Sequence, residues 1–299
     1  MESIVKPLYR DFTTREQLDA QYDTSRQVAD LGALMEGRRA LSDRARQQLV
    51  HHRDLRYGDR PEERLDLFPA SRPDAPLIVF IHGGYWSTQA LIKDLYAWTA
   101  LGPYAHGAAT AVLDYGVCPE YKIGELVTQC RNAIAWLYAN AARYGVSSEN
   151  VYVVGHSAGG HLAAMLALTD WDARFGLPAD AIKGICPISG LFDLAPFPHT
   201  WLQPKLRLTT MDIAENSPIL LPGPLLVPAL ITLGADETPE FHRQAASMHE
   251  RYTELGVASR LLALDGCLHN SAIDGLSDPD SQLMLAIVET LLSCTVKDA

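Results

Sequence analysis

The chain has 299 residues, of which 47% are hydrophobic and 20% charged, a balance typical of a soluble globular protein. Twenty-five basic residues against 36 acidic ones give a net charge of −11, and the basic residues are scattered, which argues against a nucleic-acid partner. The first residues lack the apolar core of a signal peptide and no apolar run could cross a bilayer, so we expect a cytoplasmic protein with no membrane partner.

Residues 1–50 are polar, follow a helical pattern and predict a helical lead-in without a recognisable chemical motif. Two short stretches, residues 52–57 and 64–68, are separated by turn residues and predict an antiparallel hairpin at a sheet edge. We assign residues 51–299 to one domain, because no linker-like composition divides them.

From residue 77 onward, short apolar runs alternate with helical stretches at residues 123–144, 161–168, 239–255 and 279–292. Near-continuous apolar strands separated by helices predict an α/β fold, with a mostly parallel central sheet and helices on both of its faces. Residues 191–225 are rich in proline and interrupt this alternation. We expect them to form a short insertion over the mouth of a site.

The segment Gly155-His156-Ser157-Ala158-Gly159 follows a predicted strand at residues 151–154 and opens a predicted helix near Ala158. A nucleophilic serine on a sharp strand-to-helix turn needs glycine two residues before and after it, because larger side chains would collide with the neighbouring strand and helix. Ser157 is therefore the predicted nucleophile. The alternative is a surface serine that only caps a helix.

The segment His82-Gly83-Gly84-Tyr85-Trp86 comes directly after the predicted strand at residues 77–81. Acyl transfer develops negative charge on a carbonyl oxygen, and adjacent glycines let backbone N–H groups approach that oxygen closely. We predict an oxyanion hole from Gly83, Gly84 and Tyr85, completed by the N–H of Ala158. His82 is expected to brace this loop.

A serine nucleophile needs a histidine base and an acid that orients it, and hydrolases of this kind place them in the order Ser, acid, His. Asp236 follows the predicted strand at residues 227–233 and is the predicted acid, with Glu237 as the alternative. His269 follows the predicted strand at residues 260–264 and is the predicted base. His242 and His249 fall in the helix after the acid and are expected to be exposed.

Other candidates are given ordinary structural roles. Asp193 is expected to stabilise a turn, with substrate binding as the alternative, and His161 to pack within its helix. No HExxH or GxGxxG motif is present, so no metal and no cofactor are expected. The cysteines are odd in number and widely spaced, which favours buried free thiols; Cys267, two residues before His269, is a candidate reactive thiol. They are Cys118, Cys130, Cys186, Cys267 and Cys294.

The segments HGGYW, GHSAGGHLA, SGLFDLAP, LRLT…AENSP and GADE…HN together resemble the kynurenine formamidase (arylformamidase) branch of the hormone-sensitive-lipase-like α/β-hydrolases, from about Tyr57 to the C-terminus. The resemblance implies the α/β-hydrolase fold, the triad Ser157, Asp236 and His269, and an oxyanion loop at residues 83–85. It also implies cleavage of N-formyl-kynurenine or simple aryl esters. Lipase relatives commonly carry HGGG, whereas Tyr85 replaces the third glycine here, which argues against bulky acyl chains.

Five aromatic residues near these motifs are candidates for lining a flat pocket that holds an aryl leaving group. They are Tyr85, Trp86, Phe192, Phe197 and Trp201. We therefore expect a hydrolase of aryl formamides or small aryl esters that acts through an acyl-enzyme on Ser157 and has a small-molecule partner. A general carboxylesterase, a specialised amide hydrolase and a non-catalytic binding module stay open as alternatives, and a homodimer is the base-rate expectation.

Overall fold

The computed structural model describes residues 6–72, 75–223 and 227–292. Within them one sheet has the strand order β1-β2-β4-β3-β5-β6-β7-β8. The pairs from β4 to β8 are parallel, whereas β1 pairs with β2, and β2 with β4, in antiparallel register. The mostly parallel sheet and its edge hairpin are confirmed. The strands are β1 (His52–Arg56), β2 (Arg64–Phe68), β3 (Leu77–Ile81), β4 (Ala109–Leu113), β5 (Val151–His156), β6 (Gly184–Ile188), β7 (Ala229–Gly234) and β8 (Ser259–Leu264).

The helices of the described residues cover both faces of the sheet. The α-helices are α1 (Arg15–Tyr22), α2 (Leu31–Gln48), α3 (Leu101–Ala105), α4 (Ile123–Asn140), α5 (Ala158–Ala167), α6 (Trp171–Phe175), α7 (Gln203–Leu206), α8 (Thr210–Asn216), α9 (Pro239–Glu254) and α10 (Gln282–Thr290). Short 3₁₀ turns span Thr24–Gln27, Lys93–Leu95, Ala97–Ala100, Ala141–Tyr144, Phe197–His199, Pro218–Leu220 and Asp274–Ser277.

Strand β3 shows why the buried strands read as continuous apolar runs. Its five residues are all buried. Successive side chains point to opposite faces of a sheet, so Leu77, Val79 and Ile81 belong to the apolar core that also contains side chains of α4, α5 and α9. Ile78 and Phe80 belong to the core on the other face, with side chains of α2 and α10. Both faces are covered, as a parallel sheet requires.

The N-terminal segment, residues 6–50, contains α1, α2 and one 3₁₀ turn, and it packs on the sheet-bearing part of the chain. Helix α1 is opened by a capping box between Thr14 and Gln17. The Tyr22 hydroxyl, at the end of α1, donates to Glu240 Oε2 of α9 at 2.8 Å. Upstream, the Tyr9 hydroxyl donates to Asp193 Oδ2 at 2.7 Å. These contacts hold the segment against α9 and the start of the insertion.

The insertion contains α7, α8 and two of the 3₁₀ turns, and residues 224 and 225 at its end lie outside the described residues. The N–H of Trp201 donates to Asp19 Oδ1 of α1 at 3.0 Å. The insertion and the N-terminal segment therefore contact each other at the carboxyl ends of the strands. No helix within the described ranges is long and apolar enough to cross a membrane.

Candidate active site

Ser157 occupies a strained turn between β5 and α5. Its backbone has φ +56° and ψ −117°, a conformation that L-residues adopt only when the surrounding structure imposes it. A Cβ at Gly155 would lie 2.1 Å from the carbonyl oxygen of Gly159, and a Cβ at Gly159 would lie 2.0 Å from that of Ile81. Both glycines are thus required by close backbone approach, as the sequence pattern predicted. The N–H of Ser157 donates to Ile188 O at 2.8 Å and fixes the turn to β6.

The acid that contacts His269 is Glu237, and the prediction of Asp236 is wrong. His269 Nδ1 lies 2.8 Å from Glu237 Oε2, and both side chains are buried. Asp236 is exposed and contributes its N–H to Cys267 O at 3.0 Å. The turn after β7, closed by the N–H of Glu237 on Gly234 O at 3.2 Å, directs Asp236 outward and Glu237 inward. The sequence could not distinguish these neighbouring carboxylates.

Glu237 is held by three donors. Its Oε1 accepts the N–H of Gly234 at 2.7 Å and the hydroxyl of Ser189, while Oε2 faces His269. Burial raises the pKa of Glu237, but the charge of His269 and these hydrogen bonds together outweigh burial and leave the pKa below its ordinary value. An ionised Glu237 therefore fixes His269 with its proton on Nδ1 and leaves Nε2 as the basic nitrogen. Ser189 was not singled out from the sequence.

The loop after β3 has three successive residues with positive φ: Gly84 at +118°, Tyr85 at +49° and Trp86 at +54°. Its turn is closed by the N–H groups of Ser87 and Thr88 on Gly84 O, both at 3.0 Å. The N–H groups of Gly84 and Tyr85 donate to no acceptor in the described part of the chain. Backbone in this conformation can offer consecutive N–H groups to an anion.

His82 braces this loop, as predicted. Its buried ring stacks on Tyr115, with centroids 4.5 Å apart, and on Tyr96, with centroids 5.6 Å apart. The Tyr115 hydroxyl donates to His82 O at 2.8 Å. His82 Nδ1 lies 2.8 Å from Gly83 O. The ring is thus part of the scaffold under the glycines.

A cavity of about 320 Å³ brings these parts together. Ser157, His269 and the loop residues Gly83, Gly84 and Tyr85 line it. Ala158, the first residue of α5, is fully buried beside them. Part of the cavity wall comes from the N-terminal segment, to which we assigned no chemistry because no sequence motif marks it. Its lining residues are Asp23, Thr24, Ser25, Leu31, Met35 and Arg38.

The aromatic candidates divide into two groups. Tyr85 and Trp201 line the cavity, with ring centroids 5.8 Å apart in an edge-on arrangement. Trp86, Phe192 and Phe197 belong instead to the apolar core, each fully buried, so their predicted place at the substrate is wrong. Trp86 faces inward, where its Nε1 donates to the Nδ1 of a buried histidine at 3.2 Å. A single sequence does not reveal which side of a loop faces the core.

That histidine is His161, which packs as predicted and has its Nε2 2.7 Å from Asn216 O. Burial lowers the pKa of His161 to about 4. His242 and His249 do not reach the cavity, but they are half-buried rather than exposed: their ring nitrogens lie 3.2 Å from Ala235 O and 2.8 Å from Ser259 Oγ, respectively. Both rings therefore contact neighbouring residues outside the cavity that holds Ser157.

Asp193 stabilises a turn, as expected, because its Oδ1 accepts the N–H of Ala195 at 2.9 Å. Its other oxygen accepts from Tyr9 and lies 3.3 Å from Arg243 Nη1. These contacts join the start of the insertion to the N-terminal segment and to α9. Asp193 does not line the cavity that holds Ser157.

Four cysteines are free thiols, and Cys294 lies outside the described residues. Cys118, Cys130 and Cys186 are buried, and Cys267 is half-buried. Burial and the negative charges of nearby aspartates raise the pKa of Cys267, and the hydrogen bond with Ser271, which lowers it, does not outweigh them. A raised pKa disfavours the reactive thiolate. Among the described residues, no three His, Cys, Asp or Glu side chains are grouped as metal ligands would be.

Comparisons with known proteins agree with this architecture. The BD-FAE family model matches residues 65–208. Kynurenine formamidase of Danio rerio is 28% identical over 93% of this chain and 97% of its own, and that of Salmo salar is 27% identical over 93% and 96%. A crystal structure from Silicibacter sp. TM1040, described as a thioesterase, has a TM-score of 0.79 at 27% identity and covers 91% of this chain and 99% of its own.

A hyperthermophilic esterase from Pyrobaculum calidifontis shares the fold, with a TM-score of 0.67 at 21% identity over 95% of this chain and 96% of its own. The chain thus has the α/β-hydrolase fold, with a mostly parallel sheet, a serine on a strained turn after β5 and a histidine after β8. Within that class it resembles the kynurenine formamidase branch along almost its whole length, so the resemblance carried by HGGYW and GHSAGGHLA is confirmed.

Proposed function

We propose that this protein is a serine hydrolase that cleaves an aryl formamide, such as N-formyl-kynurenine, or a small aryl ester through an acyl-enzyme on Ser157. The observation that carries the proposal is that Ser157, on its strained turn, shares one cavity with His269, which is paired with Glu237 at 2.8 Å. The similarity to kynurenine formamidases and esterases supports the same reaction class.

In the acylation step, Ser157 Oγ attacks the acyl carbon and His269 Nε2 takes the hydroxyl proton. Glu237 stabilises the resulting imidazolium through Nδ1. The N–H groups of Gly84, Tyr85 and Ala158 receive the oxyanion of the tetrahedral intermediate. The carbon–nitrogen or carbon–oxygen bond then breaks, and His269 gives its proton to the departing arylamine or phenol.

In the deacylation step, His269 Nε2 removes a proton from water, whose oxygen attacks the acyl carbon of the ester on Ser157. Collapse of this second intermediate returns the proton to Ser157 Oγ and releases the acid, which is formate for a formamide. Tyr85 and Trp201 supply aromatic surface on the cavity wall for the aryl group. A general carboxylesterase is the second candidate, favoured by the similarity to esterases.

The first experiment compares wild type with Ser157→Ala on N-formyl-kynurenine and on p-nitrophenyl acetate, both followed optically. We expect wild type to turn over both substrates and Ser157→Ala to lose at least about 10³-fold in kcat on each, because the nucleophile is removed. Circular dichroism of both proteins checks that the variant folds.

The outcomes separate the candidates. Turnover of the ester alone would retain the Ser157 mechanism and favour the general carboxylesterase. Turnover of both substrates by Ser157→Ala at wild-type rates would overturn the assignment of the nucleophile. A wild-type protein that turns over neither substrate and does not react with a fluorophosphonate probe would favour a non-catalytic binding module.

A further inference from the structure

The cavity wall formed by the N-terminal segment carries two charged side chains, and only one of them has a close ion-pair partner. Asp23 is paired, because its Oδ2 accepts from Arg26 Nε at 2.7 Å. Arg38 is 4% exposed, and within the described ranges its only carboxylate neighbour is Asp274, at 3.9 Å. The Asp274 side chain is 56% exposed, so water already screens much of its charge. The buried cation of this wall is Arg38.

The hydrogen bonds of Arg38 leave donors unused. A guanidinium has five N–H donors, and Arg38 Nη2 gives one to Asn270 O at 2.7 Å. Its Nε is buried and donates to no described residue. The guanidinium carbon lies 5.7 Å from the centre of the Tyr96 ring. Tyr96 and Asn270, which contact Arg38, line the same cavity as Ser157. The guanidinium therefore lies next to the space that a substrate would occupy.

A buried guanidinium whose carboxylate partner is 3.9 Å away and largely exposed is incompletely compensated, and a closer anion would stabilise it. The anion that best fits its planar donors is a carboxylate, which can accept two parallel N–H groups. Asn270 follows His269 directly in the chain. An anion bound at Arg38 would thus lie on the side of His269, the residue that gives its proton to the leaving group in the proposed mechanism.

We propose that Arg38 is a specificity-determining residue that binds a carboxylate on the leaving group, so that the site selects aryl amides or esters carrying an acidic side chain. This inference rests on the proposed hydrolase function. The competing explanation is that Arg38 only positions the loop after β8, through its hydrogen bond to Asn270 O. The two explanations differ in which substrates depend on Arg38.

The test uses two esters that differ in the carboxylate, phenyl acetate and 3-(2-acetoxyphenyl)propanoate, with wild type, Arg38→Gln and Arg38→Lys. For Arg38→Gln we expect kcat/KM on the acidic ester to fall about tenfold or more, mainly through KM, because a charged hydrogen bond is lost. On phenyl acetate we expect a change of less than about threefold. Arg38→Lys keeps the charge and should recover part of the loss.

Arg39→Gln is the matched control, since Arg39 is the next residue of α2, is exposed and is not among the residues lining the cavity. We expect Arg39→Gln to leave kcat/KM on both esters unchanged. Phenyl acetate turnover by Arg38→Gln reports that the variant is folded. Equal losses of kcat on both esters would overturn the proposal in favour of loop positioning, and unchanged kinetics on both would also overturn it.

A binding measurement separates this proposal from the hydrolase function itself. Titration calorimetry with 3-phenylpropanoate, which cannot react, is run on Ser157→Ala with and without Arg38→Gln. We expect binding to the single variant and a loss of about tenfold or more in the double variant. Failure of Ser157→Ala to bind this carboxylate would contradict the anion site even if formamide hydrolysis is established. Binding that depends on Arg38 would support it even if formamides are not hydrolysed.

Discussion

At the scale of single residues, the decisive feature is which of two adjacent carboxylates reaches His269. Glu237 is buried and 2.8 Å from His269 Nδ1, whereas Asp236 is exposed. A carboxylate-to-amide change at Glu237 leaves the shape intact but destabilises the histidine tautomer and the imidazolium that the proposed mechanism needs. The two positions therefore form a matched pair.

We predict that Glu237→Gln lowers kcat about 10³- to 10⁴-fold, by analogy with the loss of the acid in serine proteases. Asp236→Asn should change kcat by less than about twofold. Steady-state hydrolysis of p-nitrophenyl acetate by the two variants measures both effects. If Asp236→Asn had the larger effect, the acid assigned from the geometry would be the wrong one.

The same pair shows where sequence reasoning ends at this scale. The strand-turn-helix context gave Ser157, and the order along the chain gave His269, because both depend on patterns several residues long. The choice between Asp236 and Glu237 depends on one turn after β7 and on the hydroxyl of Ser189, which comes from a different strand end. Neither contact leaves a periodic signal in the sequence.

At the scale of elements, hydrophobic period and glycine position determined most of what could be predicted. Strands β2 and β3 have the predicted bounds, and α9 differs from its predicted range by one residue. The N-terminal segment was predicted to be helical, but its position was not, because α1 meets α9 through Tyr22 and Glu240, which are 218 positions apart. Local patterns do not encode such a distant contact.

Two glycines in helices test how tightly these elements are packed. A Cβ at Gly159 of α5 would lie 2.0 Å from Ile81 O, whereas a Cβ at Gly37 of α2 would have no neighbour within 4 Å. We predict that Gly159→Ala destabilises the protein by about 3 kcal/mol, because backbone must move. Gly37→Ala should stabilise it by about 0.5–1 kcal/mol, because alanine is the better helix former.

Urea unfolding followed by circular dichroism measures both free energies. The two variants make the same chemical change in helices, so any common effect of the added methyl group cancels in their comparison. Equal stabilities for Gly159→Ala and Gly37→Ala would contradict the close approach of α5 to β3.

At the scale of the whole molecule, buried histidines make stability depend on pH. Burial lowers the pKa of His161 to about 4, and burial with the nearby charges of His269 and Arg38 places the pKa of His156 well below its ordinary value. The unfolded chain therefore binds more protons than the folded one between about pH 4 and pH 6.5, so stability falls as pH falls through that range.

For His161 the shift corresponds to about 3 kcal/mol, present at neutral pH and lost progressively down to about pH 4. We predict that His161→Gln, which keeps a donor and an acceptor but does not titrate, reduces the fall in the free energy of unfolding between pH 7 and pH 4 by about this amount. His106→Gln makes the same substitution at an exposed position and is the control. Urea titrations at several pH values measure this fall. If the free energy of unfolding of His161→Gln fell with pH as steeply as that of wild type, the prediction would be contradicted.

The N-terminal wall of the cavity also has a consequence for synthesis of the protein. Helix α1 contacts α9 through Tyr22 and Glu240, and Glu240 is translated 218 positions after Tyr22. Helix α1 therefore cannot make this contact until α9 has been translated, whereas α2 packs on the 3₁₀ turns at residues 93–100, which follow it much sooner. Because residues from Asp23 to Asn270 line the cavity together, the cavity can take its final shape only after Asn270 has been translated.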